Sequence, residues 1–174
     1  SGKCIVNNGT LTVDGSLDMN SGLTVYNTAT GVLTVTDEMK VSNSARIYND
    51  GAVTVDDLKI NSDGEFHNCE NALLVVNDEC ELERNTAIYQ RGRASIEEMT
   101  ARGTIWVNCH TSVNELEAQG AEFNFSANAG LDAGRVEFNN TNVSMARGAL
   151  FTMEEYNADE KGGKNNFTFT GDAD

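Results

Sequence analysis

The chain has 174 residues, with 12 Lys and Arg against 27 Asp and Glu, and its formal net charge is −15. This length suits a single domain with a buried core, and the charge disfavours nucleic acid or an anionic membrane as a partner. No apolar run approaches the roughly 18 residues that a membrane span needs. We therefore treat residues 1–174 as one domain that has no span.

A short motif recurs along the chain about every 20 residues. It begins with an apolar residue, continues with two or three polar residues that include an acid or glycine, and ends with two apolar residues one position apart. An internal repeat of this length indicates a solenoid. A weaker continuation passes through Ala133 and Met153. The clear copies are 13–19, 35–41, 55–60, 76–82, 96–101 and 113–118.

Each repeat also carries a third apolar segment, such as Leu23 with Val25 or Ile105 with Val107. Each repeat therefore contains three short stretches of alternating polarity, the pattern of strands with one buried face. Their turns come too often for antiparallel hairpins, whose turn signals are about 8–12 residues apart. We predict an all-β, single-domain parallel β-helix with three short strands per coil and about eight coils. The coil exceeds the about 18 residues of a left-handed hexapeptide helix, so we expect right-handed winding.

One repeat position holds side-chain amides in successive copies. Each amide follows the inward residue of the third segment by two positions, so it should also point inward. Amides stacked at strand spacing can hydrogen-bond along the axis, and we predict such a ladder as a structural feature. We expect Cys109 at the next place, as a small buried residue that ends the ladder. The ladder residues are Asn7, Asn27, Asn49, Asn68 and Gln90.

Acidic residues recur in the turn after the first segment, which predicts a negative ridge along one edge. The main interpretation is a solvated turn that keeps the solenoid soluble. The alternatives are a ridge that binds Ca²⁺ through several oxygens or one that binds a basic partner. The chain has neither an EF-hand loop nor the calcium-binding nonapeptide, so no cofactor is predicted and Ca²⁺ stays an alternative. The weak metal-ligand candidates are Asp37, Glu38, Asp56, Asp57, Asp78, Glu79, Glu97 and Glu98.

Catalysis has to be considered because parallel β-helices often host polysaccharide lyases and glycosidases. Glycoside hydrolysis needs two facing carboxylates, but a chain with 27 acids offers such pairs almost anywhere. We expect His67 and His110 at similar outward positions after the third segment, without catalytic partners. Active-site clefts are built on long loops, and the turns here are short. We assign no catalytic residue, and a carbohydrate-active enzyme is the alternative function.

The cysteines and the two ends of the chain give limited information. Cys4, Cys69, Cys80 and Cys109 contain no CxxC spacing, so zinc is not expected, and their pairing stays open. Both ends have strand-like sequences without a clear polar cap. Open sheet edges promote association, so we expect contacts with another copy or a further domain, and a longer natural protein.

The stretches GTLTVDGSL (9–17) and ARIYNDGAVTVDDLKINSDGEFHNCENALLVVND (45–78), with the irregular coils to about residue 153, carry a resemblance. In repeat style they resemble the solenoid region of Bacteroidales surface or secreted proteins, particularly those with an LruC domain, and adhesin-like β-helix proteins. The resemblance implies an extracellular or cell-surface location and no catalytic residues. The leading hypothesis is a non-catalytic structural or adhesive rod that binds protein or glycan there.

Overall fold

A computed structural model of the chain describes residues 3–158 and 164–170. In them the chain forms a parallel β-solenoid of about eight turns, with about 20 residues in each turn. The prediction of an all-β parallel solenoid with about eight coils is thereby confirmed, but most coils contain one short and one long strand instead of three short strands. No helix long and apolar enough to cross a membrane occurs in this part of the chain.

One of the two sheets, the short-strand sheet, has nine parallel strands in the order β1-β4-β6-β8-β10-β12-β14-β16-β18. Alternate residues point inward, and the inward ones are buried through most of the sheet. Its strands are β1 (Cys4–Asn7), β4 (Thr24–Asn27), β6 (Arg46–Asn49), β8 (Glu65–Asn68), β10 (Ala87–Gln90), β12 (Thr104–Val107), β14 (Glu122–Phe125), β16 (Asn142–Ala146) and β18 (Asn166–Thr170).

The other sheet, the long-strand sheet, is made mostly of strands of nine or ten residues. Each long strand pairs in parallel with the equivalent strand of the neighbouring coil. Its strands are β2 (Thr10–Val13), β3 (Leu17–Met19), β5 (Val32–Val41), β7 (Ala52–Ile60), β9 (Leu73–Leu82), β11 (Arg93–Ala101), β13 (His110–Gln119), β15 (Gly130–Asn139) and β17 (Leu150–Ala158).

The first two predicted segments of each repeat form one strand from β5 onward. In the first coil they stay separate as β2 and β3, which both pair with β5. Later strands pass through the acidic corner without ending, and from β5 to β11 the pairing register shifts there, as between Val35 and Glu38. The inward–outward alternation is interrupted at this corner by successive outward residues, which lets the strand bend while its pairing with the next coil resumes.

The repeat alignment derived from the sequence is the register of the long-strand sheet. Its leading apolar positions are partners in adjacent strands from Val13 through to Met153. From Val35 to Ala133 these side chains are at most 5% exposed. They belong to one continuous core that also holds Phe66, Phe123 and Phe138. Each coil thus buries apolar surface against the next. This burial stabilises the fold by about 25 cal/mol for each Å² of apolar surface removed from water.

The amides at the predicted ladder position are buried and bonded along the axis. The Nδ2 atom of Asn7 donates to Oδ1 of Asn27, that of Asn27 to Asn49, and that of Asn49 to Asn68, each over 2.8 Å. Gln90 has the same register as Asn68. Its longer side chain turns away and donates to the Gly92 carbonyl over 3.3 Å. Among the described residues its Oε1 has no hydrogen-bond partner, so the bonded ladder spans four asparagines.

Cys109 does not follow Gln90 in this column, so that prediction was wrong. Val107 is the register partner of Gln90, and it is fully buried. The strand β12 ends at Val107, and Cys109 lies beyond it, immediately before β13. Ile105 is the register partner of Ile88, so the position two residues further on is Val107, and the second apolar residue of the segment itself occupies the ladder column. In the coils that follow Gln90, the residues in this column are apolar.

The corner residue Gly51 has to be a glycine because the backbone of the preceding coil approaches it closely. A Cβ atom on Gly51 would lie 2.2 Å from the carbonyl oxygen of Gly31 and 2.4 Å from that of Thr28. Both contacts are with backbone, so the coils would have to separate. We expect Gly51→Ala to lower the free energy of unfolding by about 3 kcal/mol, measured by urea denaturation followed by circular dichroism.

Gly9 provides the matched control for this substitution. It also directly precedes a strand of the long-strand sheet, β2, but a Cβ atom there would meet no heavy atom within 4 Å. Gly9→Ala should therefore change the free energy of unfolding by less than about 0.5 kcal/mol. Equal effects of the two substitutions would contradict the proposed close packing at Gly51.

Candidate binding face

A stripe of stacked rings runs along the outside of the short-strand sheet. We call it the aromatic stripe, and it consists of Tyr26, Tyr48, His67, Tyr89 and Trp106. Successive ring centroids are 5.4, 4.5, 4.4 and 6.4 Å apart, and neighbouring ring planes are within 21° of parallel. The two end rings are the most open, with Tyr26 45% and Trp106 42% exposed. The stripe thus presents aromatic edges along its length and ring surface at its ends.

The amide ladder runs along the inward side of the same short strands and supports the first rings of the stripe. Each ring belongs to the residue directly before a ladder position in the same short strand, as Tyr48 precedes Asn49 and His67 precedes Asn68. Alternation places one side chain outward and the next inward. The ladder bonds fix the register of β4, β6 and β8, so the rings of Tyr26, Tyr48 and His67 are held in line before any ligand arrives.

An ion-pair cluster flanks the middle of the stripe. Glu65 Oε2 accepts a hydrogen bond from Arg46 Nε over 2.9 Å and lies 2.9 Å from His67 Nε2. The hydrogen bond from Arg46 is the main cause that lowers the pKa of Glu65 below its ordinary value, and His67 adds to it. The same bond raises the pKa of Arg46. Glu65 is therefore a carboxylate at neutral pH, and it orients both the guanidinium and the imidazole.

A hollow of about 390 Å³ lies beside the C-terminal end of the stripe, and we call it the stripe hollow. Its floor includes Ala87 and Thr104, whose small side chains point outward from β10 and β12. Tyr89 and Trp106, two positions further along the same strands, border one side. Acidic and amide side chains complete its border at Asp63, Glu65, Asn85 and Glu122.

The acidic ridge residues occupy the corner where the long strands bend, all of them exposed or half-buried. Register brings Glu38 beside Asp57, and Glu79 beside Glu98. The eight metal-ligand candidates thus follow one edge. In the described part of the chain no group of three or more His, Cys, Asp or Glu side chains is arranged to hold a metal ion. The ridge residues are Asp37, Glu38, Asp56, Asp57, Asp78, Glu79, Glu97 and Glu98.

Several ridge carboxylates already accept hydrogen bonds from the neighbouring coil. Asp37 accepts one from the Ser16 hydroxyl over 2.7 Å. Asp57 accepts one from the backbone N–H of Glu79 over 3.2 Å. Such bonds use carboxylate lone pairs to link adjacent coils at the bend, which gives the ridge a structural role.

The two histidines do not occupy equivalent positions, so this expectation was wrong. His67 lies within β8, where Tyr48 and Tyr89 cover its ring faces and leave its side chain 18% exposed. His110 is the first residue of β13 in the other sheet, is 59% exposed, and lies 3.4 Å from Asp132. By register the residue equivalent to His67 in that coil is Trp106, and the turn after β12 is short enough that His110 already begins β13.

The four cysteines are free thiols. Burial raises the pKa of the Cys80 thiol to about 12. Burial is also the main cause that raises the pKa of Cys69 to about 11, helped by the neighbouring Asp50 carboxylate. Both thiols are therefore protonated and weakly nucleophilic at neutral pH.

The aromatic stripe was missed at the level of sequence, although a signal for it exists. The aromatic content is only 7%, and the inward amides are the stronger repeat signal in this segment. The residue before each ladder position, from Asn27 to Gln90, is Tyr, Tyr, His and Tyr. The repeat alignment alone would have placed these rings in one column.

Comparison with known proteins finds no matching family model, no matching curated protein and no matching solved structure.

Proposed function

We propose that the chain is a non-catalytic structural or adhesive module of a secreted or cell-surface protein, a rigid rod that binds protein or glycan. The observation that carries this proposal is the aromatic stripe. Exposed Tyr and Trp side chains dominate many binding surfaces, because each supplies a large apolar area at a small cost in conformational entropy. On a soluble solenoid, stacked rings that keep 45% of Tyr26 and 42% of Trp106 exposed favour a recognition surface.

The rigidity of the rod supports the same proposal. Eight coils at a strand spacing of about 4.8 Å give a length on the order of 40 Å. The ladder and the continuous core hold the stripe at fixed register along this length. A preorganised surface loses little conformational freedom on binding, and this favours affinity.

The extracellular or cell-surface location is part of the proposal. It is supported by the resemblance in repeat style of residues 9–17 and 45–78 to Bacteroidales surface and adhesin-like proteins. The net charge of −15 agrees with a surface module that must stay soluble.

The test is a binding screen of labelled protein against a glycan array and a panel of purified extracellular proteins. A variant that combines Tyr26→Thr with Trp106→Thr removes both exposed ends of the stripe and keeps strand-forming side chains. The matched control combines Val32→Thr with Leu150→Thr, which removes exposed apolar side chains from the long-strand sheet. We expect a ligand whose affinity falls about tenfold or more in the stripe variant and is retained in the control.

Three results would contradict the proposal. One is the lack of any bound ligand, and another is an equal loss of affinity in both variants. The third is release of new reducing ends or unsaturated products from a polysaccharide, which would support the alternative, a carbohydrate-active enzyme.

A further inference from the structure

The charged side chains that border the stripe hollow are all acidic. Asp63, Glu65 and Glu122 border it, and no Lys or Arg is among its lining residues. The carboxylate of Glu65 is already compensated by Arg46. Asp63 and Glu122 are exposed, and with them the hollow has negative charge available to a ligand.

One face of the Trp106 ring is open next to this charge. Tyr89 stacks on the side of the preceding coil, with the two ring planes 3° apart. On the other side the register partner of Trp106 is Asn124, which has no ring. Glu122 lies two positions before Asn124 on the same outward face of β14, about 7 Å diagonally from Trp106 between Cβ atoms. A flat cation placed over the open indole face would thus lie within reach of a carboxylate.

We infer that the stripe hollow binds an arginine side chain from a basic segment of a protein partner, an inference that rests on the proposed binding function. A guanidinium group is planar, stacks on aromatic faces and forms paired hydrogen bonds with carboxylates. A lysine ammonium is a more strongly hydrated point charge and gains less from the ring. A neutral sugar could use the indole face, but it would gain no charge attraction from Asp63 and Glu122.

The experiment uses the full 174-residue chain and its own fluorescence. Trp106 is the single tryptophan, so the emission spectrum reports on the hollow directly. The probe is the peptide acetyl-GRGRG-amide, titrated at low ionic strength because salt screens exposed charges. The control peptide carries citrulline at both arginine positions, which keeps the shape and removes the charge. We expect a saturable change in emission with the arginine peptide and at least about tenfold weaker binding of the citrulline peptide.

Two variants of equal charge separate a site from general attraction to an acidic protein. Glu122→Gln removes a carboxylate at the hollow, and Glu117→Gln removes one from the outer face of the long-strand sheet. Both side chains are exposed, so both variants should fold, which circular dichroism verifies. We expect Glu122→Gln to weaken binding of the arginine peptide about fivefold or more, and Glu117→Gln to change it less than about twofold.

Binding of the citrulline peptide as tightly as the arginine peptide, or equal weakening by both variants, would overturn the inference. The same holds for a neutral oligosaccharide such as cellohexaose that saturates the emission change while the arginine peptide has no effect. That last result would leave the proposed binding function standing. If the arginine peptide does not bind and the screen of glycans and proteins is also blank, both proposals fall.

Discussion

Replacing Phe138 with alanine is expected to lower the free energy of unfolding by about 4 kcal/mol. The Phe138 side chain in β15 is fully buried. Its ring centroid lies 5.6 Å from that of Phe123, 5.9 Å from Phe151, and 6.2 Å from both Tyr156 and Phe167. Truncation therefore removes the centre of an aromatic cluster that joins the two sheets. It leaves a cavity in a place where strand pairing prevents the backbone from collapsing.

Phe169→Ala is the matched control, because it makes the same chemical change at a site that is 73% exposed. We expect it to alter the free energy of unfolding by no more than about 0.5 kcal/mol. Both variants can be compared with the parent by urea denaturation at constant pH. A loss below about 1 kcal/mol for Phe138→Ala would show that the cluster does not contribute as the geometry indicates.

The second large effect is expected for Asn49→Leu in the amide ladder, at about 4 kcal/mol. Leucine has a similar size, so most of this loss comes from polar groups that keep their burial and lose their partners. Asn68 Oδ1 loses its donor, the Leu73 carbonyl loses a 2.9 Å bond, and the N–H of Gly51 loses its acceptor. Asn27 keeps its bonds to backbone carbonyls.

Asn124→Leu serves as the control, because Asn124 is half-buried on the outward face of β14. It should cost less than about 0.5 kcal/mol in the same urea experiment. Hydrogen exchange adds a local measurement, since amide protons of β6 and β8 should exchange faster in Asn49→Leu. Similar free energies for the two variants would mean that the ladder contributes no more than an exposed amide.

The fold could be predicted from the sequence because its repeat is expressed in apolar side chains. The column from Val35 to Val113 is apolar in every coil, at spacings of 17 to 21 residues, and burial requires that polarity. The inward position of the amides follows from the same alternation. The joining of two predicted segments into single long strands could not be predicted. A turn and a bent strand both place polar residues at the acidic corner, so the sequence pattern is the same for the two.

The candidate site was harder to predict because outward columns are under no packing constraint. Outward residues such as Tyr48 and Tyr89 are compatible with any solenoid, so only the assembled register shows that their rings stack. The two-residue spacing from Ile105 already indicates Val107 at the ladder column, whereas the strand position of His110 depends on the length of the turn after Val107, which hydrophobic periodicity does not determine. Residue spacing is reliable within strands and less so across corners.

The amide ladder has a direction, and this has a consequence for how the rod can change in length. From Asn7 to Asn49 every Nδ2 donates toward the following coil, so each of these coils offers the same donor and acceptor at its two faces. Duplication or deletion of one whole coil between Asn27 and Asn68 would join matching ends. Deletion of the coil that carries Gln90 would instead place the Asn68 amide, which belongs to the bonded ladder, against Val107, where the column becomes apolar. Coils can therefore be added or removed within the ladder without a buried polar mismatch, whereas the coil of Gln90 cannot be removed without creating one.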